Sequence, residues 1–330
     1  MTTHKQSAAP MPRLIRAMGN LIASNEDGKG RLCIVTYHRI LASHDPLLAS
    51  EPDIETFRWQ MKLLADCFNV LPLHDAIQNL QRRRMPPRAV CITFDDGYRS
   101  IHDLALPILQ EFNLPSTVFA TTGYMGAGNM WNDRIIEAVR QLPSGPLDLR
   151  EAGLGMHSLD DINSRKGVVE KLNEKSKYLL PQARLDVIDI LERRVGSAAA
   201  SDLMLSRDMI ATLSREGVEI GGHTVTHPIL TRLEDDAARR EIVDNKQVLE
   251  AITGKPLRLF AYPNGKAGVD FDKRHVRMVG EAGYSAAFTT AIGPATQLSD
   301  IYQIPRGLPW DATPFLFGLR LLRWLANKGM

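Results

Sequence analysis

The chain has 330 residues and little that would tie it to one compartment or one polymer. It has only three cysteines, Cys33, Cys67 and Cys91, with no close spacing. That excludes a disulfide scaffold and a cysteine metal cluster, and the three read as reduced side chains in a reducing compartment. No apolar run is long enough to span a bilayer. Residues 1–12 are polar and contain no apolar signal core, so the expected location is cytoplasmic. An excess of one charge is also lacking. Lys and Arg number 40 against 38 Asp and Glu, a net charge of +2, and the basic residues do not cluster. Strong affinity for nucleic acid is thereby excluded. No internal repeat and no low-complexity tract is present.

What is there is an ordinary globular composition, 44% hydrophobic, enough for a sizeable core in one large domain or two small ones. Residues 1–30 read as a helix-forming arm and a Gly-containing linker. Short apolar runs follow at 32–37, 70–73, 89–94, 117–121, 218–222, 257–262, 286–290 and 302–305. Helical spacing recurs between most of them, at 55–67, 74–83, 101–112, 234–253 and 273–282. Strands alternating with helices at this interval predict βα units and a mainly parallel sheet. The rhythm pauses over about 124–206, where Pro143-Ser144-Gly145-Pro146 precedes charged helical stretches at 164–180 and 182–195. That segment reads as a mostly helical insertion. The expected fold class is α/β, a distorted (β/α) barrel of about seven to eight strands over 31–310. An open doubly wound sheet is the alternative. Either fold gathers the strand C-termini on one rim, and His38, Asp95-Asp96, His223, Tyr262 and Arg306 all fall there.

The run Ala89–Phe94 stops at Asp95-Asp96-Gly97. Adjacent side chains of a strand diverge unless the backbone turns. If it turns, two carboxylates face one crevice and cannot easily share a charge state. A cation resolves the conflict, one acid ligating and the other remaining a free base. The alternative is a solvated acidic turn. Farther on, Gly221-Gly222-His223-Thr224-Val225-Thr226-His227-Pro228 places two imidazoles four residues apart, on one side of a helix or a strand. Neutral imidazole suits borderline metals, and the hydroxyls of Thr224 and Thr226 could orient rings or ligands. Two surface histidines at a capped helix start are the alternative. One carboxylate with two histidines leaves coordination positions open, as in non-haem iron oxygenases and metal hydrolases. The spare acid and the βα pattern favour hydrolysis.

Thr93-Phe94-Asp95-Asp96-Gly97, then His223-Thr224-x-Thr226-His227-Pro228, then Phe260-Ala261-Tyr262-Pro263-Asn264-Gly265 resembles the polysaccharide deacetylases with a NodB-like domain. The likeness covers about 32–309 apart from the insertion. It implies a distorted barrel and divalent-metal removal of acetyl groups from N-acetylated sugars, with zinc the first expectation among first-row metals. By position, Asp95 matches the general base, and Asp96, His223 and His227 match the metal ligands. The Tyr262 segment, with Asn264, matches the stretch whose backbone amide helps hold the oxyanion. Many members carry Arg where this chain has Ala261, and a late Leu-x-x-His motif that supplies the acid. Here no His follows His275. The match is closer to the branch with an early Tyr-His strand, here Tyr37-His38, and it implies that His38 is the acid. Arg306 either replaces the missing Arg beside Asp95 or forms a structural salt bridge.

Trp131 and Tyr98 are further candidates for lining a saccharide groove, and Asp133 for holding a hydroxyl. Equally, Trp131 anchors the insertion, Asp133 caps its helix and Tyr98 packs. Residues 311–330 read as an amphipathic, partly basic helix that either packs on the core or touches a membrane surface peripherally. The function expected is de-N-acetylation of a polysaccharide, oligosaccharide or glycan precursor. The rivals are an O-acetyl esterase, a small-molecule amidase and an inactive glycan-binding module.

Overall fold

The computed structural model describes residues 10–24, 30–126, 128–195, 202–308 and 311–327. The rest of the expected N-terminal arm and linker, the junction at 309–310 and the end of the C-terminal helix lie outside these residues.

The elements follow the order α1 (Pro10–Ser24), β1 (Leu32–Tyr37), α2 (Ile54–Cys67), β2 (Asn69–Val70), α3 (Leu73–Gln81), β3 (Ala89–Phe94), α4 (Leu106–Glu111) and β4 (Thr117–Ala120). A π-type turn, Ile101–Ala105, leads into α4. Then come α5 (Trp131–Gln141), a hairpin of β5 (Pro146–Leu149) and β6 (Gly155–Ser158), α6 (Ile162–Lys177) and α7 (Pro181–Val195). The series ends with α8 (Arg207–Arg215), β7 (Glu219–Gly222), α9 (Asp235–Thr253), β8 (Leu259–Ala261), α10 (Lys273–Glu281), β9 (Ala286–Phe288) and α11 (Pro314–Ala326). The hairpin and α8 were not among the expected elements. The short, punctuated strands at 146–158 carry too few alternating residues to stand out from loop.

All pairings in the main sheet are parallel, in the order β1-β3-β4-β7-β8-β9, with β2 beside the start of β3. Both β1 and β3 are buried along their whole length, as a parallel strand covered on two faces must be. The expected last strand forms only isolated bridges, but they close the ring. Ile304 pairs with Phe288 of β9, and Gly307 pairs with Val35 of β1.

Side-chain alternation then sorts the strand residues into two sets. Cys33, Val35, Val90, Ile92, Phe94, Phe260 and Tyr262 join the large core under the surrounding helices. Ile34, Cys91, Phe119, Leu259, Ala261, Phe288 and Ile304 form a second cluster with Leu73, Ala76, Ile77 and Leu80 of α3. This second set is the barrel interior. The start of α3 sits against the strand N-termini, where the His74 amide and the Thr117 hydroxyl both donate to Glu219.

The stretch between β4 and α8 has its own core, including Trp131, Ile135, Leu147, Leu172, Ile188 and Leu191. Helix α11 buries Phe317, Leu321, Leu322 and Leu325 and packs on α1, α2 and β1. That side of α11 packs on the chain's own core, which Ile15 of α1 joins, while Phe315 and Leu316 of the same helix are exposed. No helix among the described residues is long and apolar enough to cross a membrane. All three cysteines are free and buried.

Candidate active site

The two acids meet because the chain turns between them. Asp95 still follows β3, its amide donating to Tyr37 O at 2.8 Å. Asp96 then takes φ +71 and Gly97 φ +89. Asp tolerates the left-handed region better than most residues, and such backbone strain gathers at functional sites. The turn is pinned on the β4 side, where the Thr121 amide (3.1 Å) and hydroxyl (2.8 Å) both donate to Asp96 O. A side chain at Gly97 would press on Ala120.

Asp96, His223 and His227 converge, with one ligand atom from each all within 4.8 Å of one another. Asp96 Oδ1 lies 3.4 Å from Nε2 of each imidazole. His223 Nδ1 donates to Ala261 O at 2.7 Å, which turns its Nε2 toward Asp96. Burial pushes His227 down to about 4 against the pull of Asp96, so it is neutral at pH 7. Burial also presses Asp96 upward, but its pairing with the His227, His223 and His38 rings outweighs burial and lowers the acid. Two imidazole Nε2 atoms and a buried carboxylate offer three donor atoms around one point. That donor set fits a divalent cation with positions left open.

Asp95 stands apart from this cage. Arg306 grips it in a fork, Nη1 to Oδ1 and Nη2 to Oδ2, both at 2.7 Å. Burial raises the acid, and the Arg306 charge overrides burial and lowers it. Arg306 is itself 1% exposed and lies against both the Phe119 and the Phe288 ring. It follows Ile304 by two residues and so points into the barrel interior, as Ala261 does.

His38, two residues after inward-facing Thr36, is about one-third exposed, with Nδ1 3.9 Å from Glu51. Burial lowers it, but Glu51, Asp96 and Asp95 together raise it above the ordinary imidazole value. It borders a small cavity with Glu51, Ser50 and Leu308.

Four expectations are corrected here. Tyr262 has the parity of Phe260 and points outward, stacked on Phe271 at 3.8 Å and 1% exposed, so its ring touches no substrate. Its amide donates to Phe288 O in the β8–β9 ladder and is not free for an oxyanion. Trp131 lies in the insertion core, its face covered by the Arg184 guanidinium at 4.7 Å. Tyr98 is 2% exposed beneath the Arg39 guanidinium at 4.2 Å, its hydroxyl taken by Arg39 and Asn132, so it packs. Asp133 pairs with Arg39 in a buried ion pair between insertion and barrel. Asn264 sits half-buried in a left-handed turn at φ +59, its carbonyl accepting the Thr290 hydroxyl at 2.7 Å. No hydrogen bond of its side chain occurs among the described residues.

A family model, polysaccharide deacetylase, matches residues 82–287. This chain belongs to the polysaccharide deacetylase family. Among the similar curated proteins is poly-beta-1,6-N-acetyl-D-glucosamine N-deacetylase of Staphylococcus aureus, 29% identical over 119 residues, 33% of this chain. The match spans only 41% of that relative. The Staphylococcus epidermidis protein of the same name is 26% identical over 176 residues, 46% of this chain and 60% of its own. Solved structures share the fold. The Streptococcus pyogenes deacetylase PplD in complex with acetate has a TM-score of 0.59 at 17% identity, covering 90% of this chain and 99% of its own. IcaB from Ammonifex degensii has 0.55 at 16% identity, covering 90% and 98%. For a polysaccharide deacetylase with Ala261, the buried Arg306 beside Asp95 is the notable feature, because it reaches the acid from the segment that closes the barrel.

Sequence reasoning missed Glu241 and Asn245, which hold the histidine loop. Asn245 carried a signal. It shares the buried stripe of α9 with Ala238, Ile242 and Leu249, where a polar residue must find partners.

Proposed function

We propose that this chain is a metal-dependent hydrolase removing N-acetyl groups from an acetylated saccharide. The observation that carries the reading is the convergence of Asp96, His223 and His227 beside a second acid held outside their cage. The deacetylases named among its relatives support the same chemistry.

Asp96, His223 and His227 would hold the cation through Oδ1 and the two Nε2 atoms. When bound, a divalent ion there supplies a Lewis acid that polarises an acetyl carbonyl and acidifies a water. Zinc suits this donor set.

Asp95 takes the proton of the attacking water. Its carboxylate has lone pairs beyond those engaged by Arg306, so it can accept while gripped. Arg306 keeps it ionised and fixes its direction, at some cost in basicity. His38, raised above the ordinary imidazole value, holds a proton for the departing amine on the same rim. The buried ion pair of Arg39 with Asp133 fixes the residue next to His38 against the insertion.

Acetate release from a panel of N-acetylated and O-acetylated oligosaccharides, with and without chelator, tests the reading. Release from the N-acetylated set, abolished by chelator and by Asp95→Asn, is expected. Chelator-insensitive release, or full activity of Asp95→Asn, would remove the assigned roles. Preference for the O-acetylated set would make the chain an esterase.

A further inference from the structure

Two side chains one helical turn apart on α9 grip the loop that carries both histidines. Asn245, fully buried, accepts the His223 amide at 3.1 Å and donates to Thr224 O at 2.6 Å and Ala120 O at 3.0 Å. Glu241 Oε2 accepts the amides of Val225 and Thr226, both at 2.8 Å, while its Oε1 accepts the Thr226 hydroxyl at 2.6 Å.

The two imidazoles are not secured alike. The His223 ring is fixed through Nδ1 to Ala261 O. His227 Nδ1 is buried with no partner. With no hydrogen bond at Nδ1, the His227 ring depends on its backbone for its aim, and that backbone is tied by its amide to Thr224 Oγ1 at 3.1 Å. That backbone is strained, with Thr224 at φ +66 and His227 at φ +52. A β-branched residue in this region is an outlier, and such a conformation persists only where the surroundings impose it. The carboxylate that spans the two residues between them is Glu241.

We infer that Glu241 is a positioning residue for the cation site. It holds 224–227 in the strained shape that turns His227 Nε2 toward Asp96, and Asn245 serves the His223 end of the same loop. This rests on the metal centre proposed above. Neither side chain need touch substrate, so the effect reads out in metal affinity before it reads out in turnover.

The test titrates Zn2+ into the metal-free full-length chain against a chromophoric chelator, for the parent, Glu241→Gln and Glu241→Ala. Hydrogen exchange at the 225 and 226 amides is followed in parallel. Glu241→Ala is expected to weaken Zn2+ binding about 10- to 100-fold, the usual cost of losing an outer support of a metal ligand. Exchange at 225 and 226 should speed up, while the melting temperature of the metal-free protein moves little. Glu241→Gln, which keeps one acceptor oxygen, should fall between. If Glu241→Ala fails to fold, Glu241→Gln decides, with at least a threefold loss expected. Parent-like Zn2+ affinity in the folded variant would overturn the positioning role and leave the metal centre standing. A parent that takes up no Zn2+ would instead overturn the metal centre, and the positioning role with it.

Discussion

Replacing Arg306 with Met separates a supporting charge from a decorative one. The Arg306 and Asp95 side chains are 1% and 6% exposed and joined by two hydrogen bonds of 2.7 Å. Removing one partner of such a pair leaves a buried charge uncompensated, at about 3–5 kcal/mol. Met fills much of the space that Arg306 occupies beside Phe119 and Phe288, so packing should add less than about 1.5 kcal/mol. The sum is a large share of the roughly 5–15 kcal/mol that holds a domain folded. Urea unfolding of the metal-free protein at pH 7 should show a lower midpoint at an unchanged slope. The double variant Asp95→Asn/Arg306→Met removes both charges and should recover most of the loss, giving a coupling energy above about 2 kcal/mol. It should stay inactive, because Asn cannot accept the proton. A cost below about 1 kcal/mol for Arg306→Met, or a double variant less stable than the single, would refute the reasoning.

His38→Gln should lower kcat by about 10²–10⁴-fold and erase the alkaline limb of its pH profile. Activity should fall as pH rises through that limb, because the proton that His38 holds for the amine is then lost. An alkaline limb that persists in His38→Gln would contradict the assignment. His275 gives the opposite sign, in stability rather than rate. Burial holds it below the ordinary value, and its Nδ1 accepts the Asp272 amide at 3.0 Å. As pH falls below about 6.5, protons bind the unfolded chain first, so the stability present above that pH is lost on acidification. His275→Gln should flatten the denaturation midpoint between pH 7 and 5, and an unchanged slope would count against it.

Much of the fold and the core of the site could be read from residues alone. The apolar runs at 32–37 and 89–94 coincide with β1 and β3, because fully buried parallel strands leave an unbroken apolar signature. Asp95-Asp96 and the two histidines stood out because acids and imidazoles at strand ends have few structural uses. Tyr262 was misjudged by motif position, although its period-2 parity with Phe260 already places it on the outer face. Trp131 and Tyr98 could not be placed, since an aromatic near a rim has the same local sequence whether it stacks on a sugar or on an arginine. The pairing of Arg306 with Asp95 crosses 211 residues, and only the closure of the barrel brings the two together. Glu241 was invisible for a different reason, since its partners are backbone amides that any sequence possesses.

The most direct test is metal uptake with its ligands identified. One divalent ion per chain is expected, with X-ray absorption showing two imidazole nitrogens and carboxylate oxygen at about 2.0–2.2 Å for zinc. That ion should be lost in Asp96→Ala, His223→Ala and His227→Ala but kept in Asp95→Asn. No uptake by the parent, or uptake undiminished in the three ligand variants, would contradict the account.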